Sequence, residues 1–149
     1  MVKLLTIMTA LMLPALVKAQ IRATHNPGPA GRQQVISLAA RRLAALSEIE
    51  SGNNDFAQGR AGEVSRYQIT PAVWTKYSRE PISQATNRWT AELVAYRILE
   101  ARIIHFQRLF HKEQSEQQVY LLWSRPARVW HPTKVEAERA QRFANLVDQ

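Results

Sequence analysis

Glu48-Ile49-Glu50-Ser51-Gly52 stands where a helical apolar pattern runs out. Upstream, Ile36, Ala39, Leu43 and Leu46 recur at the spacing of one helix face, and the next position of that face is Glu50. A carboxylate thus occupies a core position. Glu48 falls on the side of Arg41 and Ala44, where its charge is solvated at little cost. Gly52 suits the residue just past a helix end, which puts Glu50 in the last turn, where the negative end of the helix dipole disfavours another negative charge. Burial and dipole together would push the Glu50 pKa upward, as a general acid working near neutral pH requires. On spacing alone, a boundary glutamate that bends to water or pairs with an arginine is the simpler reading.

Beyond Gly52 the helical period stops. Residues 53–69 carry Gly59 and Gly62 and then Glu63-Val64-Ser65-Arg66-Tyr67-Gln68-Ile69, in which Ser65, Tyr67 and Ile69 alternate on one side. This pattern predicts a loop leading into one or two short strands. Thr70-Pro71 reads as an N-cap followed by proline at the first helical position, opening a short helix that holds Val73, Trp74 and Tyr77. Trp74 is expected in the core.

Towards the N-terminus, Met1-Val2-Lys3 precedes an apolar run from Leu4 to Val17, and Val17-Lys18-Ala19 supplies the small residues that a signal peptidase reads. Residues 1–19 are therefore expected to be a cleaved leader, the run being shorter than the ~20 apolar residues that span a bilayer. Residues 20–32, with His25-Asn26-Pro27-Gly28-Pro29-Ala30-Gly31, read as a linker. A single domain is expected over 33–149. Loss of Lys3 and Lys18 leaves 18 basic and 12 acidic residues, a net charge of +6. Such a surplus favours an acidic polymer or surface, or simply keeps an exported protein soluble. The chain has no cysteine, so disulfides, thiol catalysis and cysteine metal sites are excluded.

Downstream, Thr86 to Phe110 predicts a long helix whose apolar residues, among them Trp89, Leu93, Ile98, Ile104, Phe106 and Leu109, cover more than one face. That breadth predicts burial on several sides. His105 and His111 lack the spacing of two ligands one turn apart, so no metal site is expected. Ser115-Glu116-Gln117-Gln118 and Thr133-Lys134-Val135-Glu136 are capping boxes that start two further helices.

Taken together, Glu50-Ser51-Gly52, Gly62, Ser65-Arg66-Tyr67-Gln68-Ile69 and Pro71 resemble the signature of the lysozyme-like lytic transglycosylases, in which a Glu-Ser pair ends the first helix and a Gly-Leu-Met-Gln-Ile-Met-Pro segment follows a loop. The Arg-Tyr-Gln-Ile form is similar to phage-type and other lysozyme-like muramidase domains. The resemblance runs from about Val35 to the C-terminus. Three positions depart from the pattern: Ser65 stands for a glycine, Arg66-Tyr67 for an apolar pair, and Trp123-Ser124 for Tyr-Asn.

The resemblance implies a mainly α (α+β) fold, a lysozyme-like small helical domain with a short β-hairpin or loop segment beside a cleft. With the expected leader placing the protein in the periplasm or outside the cell, the resemblance implies that it cuts the β-1,4 bond between N-acetylmuramic acid and N-acetylglucosamine in peptidoglycan strands without a cofactor. Glu50 would be the catalytic acid. A hydrolase would want a second carboxylate, with Asp55 and Glu63 both open as candidates. Gln68 would hydrogen-bond the glycan, Tyr67 would line the cleft, and Trp123-Ser124 would occupy the place of the family's Tyr-Asn pair. Trp123 could stack on a sugar, and Tyr67 or Tyr120 could supply the hydroxyl that tryptophan lacks. Ser51 would support Glu50 or substrate, or cap the helix. The alternative is a non-catalytic envelope glycan-binding protein. Nucleic acid is not an expected partner, since no binding motif accompanies the charge.

Overall fold

The computed structural model describes residues 29–149, with side chains from Ser37 onward. The expected leader and residues 20–28 lie outside the described residues. Helix α1 runs Pro29–Ser51, so it takes in positions 29–32 that the sequence assigned to a linker. Proline at the first helical position carries no N–H that would be left unbonded there, which is why a breaker-rich stretch can begin a helix. From Ile36 the chain forms one compact unit.

The remaining helices are α2 (Pro71–Tyr77), α3 (Arg88–Phe110), α4 (Glu116–Ser124) and α5 (Lys134–Val147). Their starts follow the caps read from the sequence. Thr70 accepts from Val73 N with Pro71 next, and both capping boxes, Ser115 with Gln118 and Thr133 with Glu136, are complete. Asn87 caps α3, so that helix begins just after the expected Thr86.

Among the described residues there is no strand. The expected hairpin is replaced by two isolated antiparallel bridges, Gln58 with Val64 and Val64 with Ile69. The reason lies in the backbone, since Ser65 (φ 70°) and Gln68 (φ 49°) both adopt the left-handed conformation, which reverses the chain instead of extending it.

The core gathers Leu43 and Leu46 of α1, Tyr67 and Ile69 of the loop, Trp74 of α2, Val94 and Ile98 of α3, Val119 to Trp123 of α4, and Phe143 and Val147 of α5. Trp74 is buried as expected, and its indole nitrogen donates to Glu80 O at 2.8 Å. Helix α3 is not covered on all sides. Ala91, Val94, Ala95 and Ile98 face the core, while Trp89, Leu93, Ile104 and Leu109 are exposed. Apolar breadth on this helix therefore reflects one core face plus one uncovered face. His105 and His111 are exposed, His111 serving as the left-handed cap that ends α3. Among the described residues, no helix is long and apolar enough to cross a membrane.

Two arginines fix the helices that frame the cleft. Arg42 of α1 makes a two-point contact with Glu116 in the first turn of α4, Nε to Oε2 at 2.9 Å and Nη2 to Oε1 at 2.5 Å. Arg102 of α3 donates to the carbonyls of Leu122 and Trp123 at the end of α4, with its guanidinium 5.7 Å from the Trp123 ring. Orphan carbonyls at the α4 terminus are thereby satisfied.

Candidate active site

Helix α1 ends in a polar knot. Gly52 (φ 62°) and Asn53 (φ 65°) are both left-handed, which folds the chain back so that Gly52 N reaches Glu48 O and Asn53 N reaches Ser47 O. The Ser47 hydroxyl, fully buried, donates to Asn53 Oδ1 at 2.7 Å. This knot sets the angle at which the last turn, and with it Glu50, meets the loop that follows.

Glu50 is the buried acid of the pair, its side chain 13% exposed against 41% for Glu48. Its pKa is raised, burial being the largest cause. Arg139 and the Tyr120 hydroxyl pull it down, Arg125 adds to that, and Glu63 pushes it up. Arg139 Nη2 lies 3.6 Å from Glu50 Oε2 and also donates to Ile49 O at 3.3 Å, clamping the end of α1 to α5. Glu50 is thus both a desolvated carboxyl and an arginine partner. Its other oxygen, Oε1, is buried without a hydrogen-bond partner, and so is the hydroxyl of Tyr120. The two lie near enough to act on each other's ionisation, yet no standard hydrogen bond joins them.

Glu50 opens on a cleft of about 580 Å³, in the range of small-molecule sites. One wall is helical, with Tyr120, Trp123, Ser124 and Arg125 at the end of α4 and Val135, Glu136 and Arg139 on α5. The other is the loop, with Gly59, Arg60, Glu63, Gln68 and Thr70. Three acids and three arginines line it, so the cleft is charged but close to balanced. Glu136 is shared by Arg125 and Arg128 at 3.6 and 3.3 Å.

No family model, curated protein or solved structure matches this chain. The site is therefore read from its own geometry.

Of the two second-carboxylate candidates, only Glu63 lines the cleft. Asp55 is instead bound to Arg66, Nε to Oδ1 at 2.5 Å and Nη2 to Oδ2 at 3.2 Å, away from Glu50. Arg66 is 8% exposed, and its further bond to Asn53 O makes it the pin of the 53–57 loop. Glu63 packs against Gly59. A Cβ added there would stand 2.2 Å from Glu63 Oε2 and 2.7 Å from Gln68 Oε1, so both side chains depend on that glycine. Gln68 spends its amide nitrogen on Ser65 O at 3.0 Å, and its carbonyl oxygen remains as an acceptor.

Several expected ligand contacts are structural instead. Tyr67 does not line the cleft. It is 2% exposed and packs edge-on against Trp123 with ring centres 6.4 Å apart. Burial pushes its phenol up to about 12, and the charges acting on that phenol are Glu92, Arg66, Arg88 and Asp55, not Glu50. Trp123 is 8% exposed, held between Tyr67 and Arg102, so little of its ring is free to stack on a ligand. Ser51 donates to Arg66 O at 2.9 Å and accepts from Asn54 N at 3.0 Å, which ties the helix end to the loop and occupies its hydroxyl. Ser124 does reach the cleft, though its hydroxyl donates to Tyr120 O at 3.1 Å.

Arg139, Arg125 and Arg60 were not singled out in the sequence. Arg139 lies on the solvent side of α5, and nothing in its spacing tells that this side closes over the end of α1. The surplus of arginine was the only signal.

Proposed function

We propose that this chain is an exported peptidoglycan-cleaving muramidase or lytic transglycosylase of lysozyme-like fold, with Glu50 as its acid. The observation that carries the reading is a desolvated carboxyl with a raised pKa lining a cleft that Gln68 and Glu63 also line. Glu50 and Gln68 fall at the positions where the motif resemblance puts an acid and a glycan-binding glutamine. A protonated Glu50 would give its proton to the glycosidic oxygen as the C–O bond breaks and the sugar becomes oxocarbenium-like. Arg139 would hold the carboxylate left behind. From there the same carboxylate could take a proton from the muramyl 6-hydroxyl, closing a 1,6-anhydro ring, and one acid would suffice. If water attacks instead, Glu63 is the carboxylate available to orient it.

A second reading has an observation in its favour. The Arg139 contact and the arginines lining the cleft support an ionised Glu50, which suits a glycan-binding protein that has lost turnover. Purified sacculi incubated with the protein distinguish the two. Release of soluble muropeptides is expected, and mass spectrometry then separates anhydro products, which are lighter by one water, from hydrolysed ones. Tight binding to sacculi with no release would support the non-catalytic reading, and neither binding nor release would reject both.

A further inference from the structure

Helix α3 carries an uncovered stripe that takes no part in the cleft, for none of its residues lines that space. Trp89, Leu93, Arg97, Glu100, Ile104 and Arg108 follow one another at intervals of four, four, three, four and four residues, and all are exposed. At 3.6 residues per turn they fall within a band about 100° wide, a single face of the helix. Trp89 is 77% exposed, and Tyr96 beside the stripe donates its hydroxyl to Glu100 Oε1 at 3.0 Å. Among the described residues, Arg97 and Arg108 have no hydrogen-bond or ion-pair partner. An exposed apolar patch of this kind marks an interaction surface.

The order of the residues says what covers it. The intervals read the same in both directions about the midpoint between Ile98 and Leu99, so each residue has a mirror image at equal distance on the same face. Leu93 mirrors Ile104, Arg97 mirrors Glu100, and Trp89 mirrors Arg108. We infer that α3 pairs antiparallel with α3 of a second copy of this chain, across a two-fold axis at that midpoint. In this register an apolar side chain meets an apolar one, the central arginine meets a glutamate, and the outer arginine meets an indole ring, each pair occurring twice. A lipid surface suits the stripe less, because a helix lying on lipid keeps its charges on the other face, whereas Arg97 and Glu100 stand in the middle of this one. The pairing does not depend on the function proposed above.

Sedimentation equilibrium of the wild-type chain is expected to show a monomer passing to a dimer as concentration rises. Glu100→Arg sets arginine against arginine at the axis and should raise the dissociation constant about tenfold or more, while Arg97→Glu/Glu100→Arg restores opposite charges and should recover most of that loss. Register is read by cross-linking, since the chain has no cysteine of its own. Leu93 faces Ile104 of the other copy and stands roughly 16 Å along the axis from its own counterpart. Oxidation of an equimolar mixture of Leu93→Cys and Ile104→Cys should therefore give a disulfide-linked dimer with one of each, identified by mass, and neither variant alone should cross-link. A wild type that stays monomeric at every concentration would overturn the inference, and binding of that monomer to anionic lipid vesicles would assign the stripe to a membrane surface instead. A dimer that Glu100→Arg leaves intact, or one in which the single-cysteine variants cross-link as well as the mixture, would equally overturn it. All the substituted side chains are exposed, so the variants should keep the wild-type circular dichroism; should one not, the wild-type sedimentation and the cysteine pair still decide.

Discussion

On one wall of the cleft Tyr120, Trp123 and Arg139 stand on helices whose other faces are core, whereas on the opposite wall Gly59, Glu63 and Gln68 stand on a loop that turns through left-handed residues. The helical wall is held by burial, and it sets most of the electrostatics of Glu50 through Tyr120, Arg125 and Arg139, with Glu63 of the loop adding a smaller push. The loop wall is held by a few polar bonds, Ser51 to Arg66 O, Arg66 to Asp55 and Gln68 to Ser65 O, and it sets where the opposing side chains stand. Charge state thus falls mainly to the helices and geometry to the loop. Changes on the helical wall should alter how Glu50 ionises, and changes on the loop wall should alter stability or what stands opposite it.

The largest stability effect is expected from Arg66→Ala, which frees the 53–57 loop. Asp55 can still be solvated, so the loss should be about 2 kcal/mol in urea unfolding, against under ~0.5 kcal/mol for Arg142→Ala, whose partner Glu48 is well exposed. Equal losses would mean that Arg66 is not the pin. Next comes Gly59→Ala, whose Cβ displaces Glu63 and Gln68. The two side-chain ends can move aside, but Glu63 Cβ at 2.9 Å cannot without the backbone, so the stability cost should be about 1.5 kcal/mol, with a larger loss of glycan affinity measured on sacculi. Unchanged affinity would remove the loop wall from the site.

Glu50→Gln should separate the walls by pH. Because the folded pKa of Glu50 is raised, the native state holds its proton more tightly than the unfolded chain. Its contribution is therefore fully present below the ordinary value of 4.5 and is lost as pH rises through the folded pKa. The glutamine variant should be the more stable protein at pH 7, with the advantage vanishing in acid. Melting curves at the two pH values check this, and a glutamine variant that is less stable at pH 7 would show that Arg139 outweighs burial. The smallest effect is expected for Ser65→Gly. Relief of about 1 kcal/mol of left-handed strain is offset by loss of the Ser65 hydroxyl as acceptor for Tyr67 N, so the net change should be within ~0.5 kcal/mol.

The helical wall was largely legible in the sequence. Periodicity chose Glu50 over Glu48, and the cap residues Thr70, Ser115 and Thr133 marked helix starts because their side-chain oxygens do local work that residue type reveals. The loop wall was not. Alternation of Ser65, Tyr67 and Ile69 has the period of a strand, and nothing about a serine or a glutamine announces a positive φ. Once those two positions reverse the chain, Tyr67 goes into the core instead of the cleft. Asp55 was open as a catalytic partner because its pairing with Arg66, eleven residues on, follows no helical or strand period. Arg139 escaped notice for the related reason that its contact is made across ninety residues of chain.

Release of muropeptides from purified sacculi by the wild type, Glu50→Gln and Glu48→Gln, side by side, tests the central claim most directly. General acid catalysis contributes roughly 10²–10⁴-fold, so Glu50→Gln should fall by at least that lower figure while Glu48→Gln stays within about twofold of the wild type. Equal release by the wild type and Glu50→Gln would contradict it.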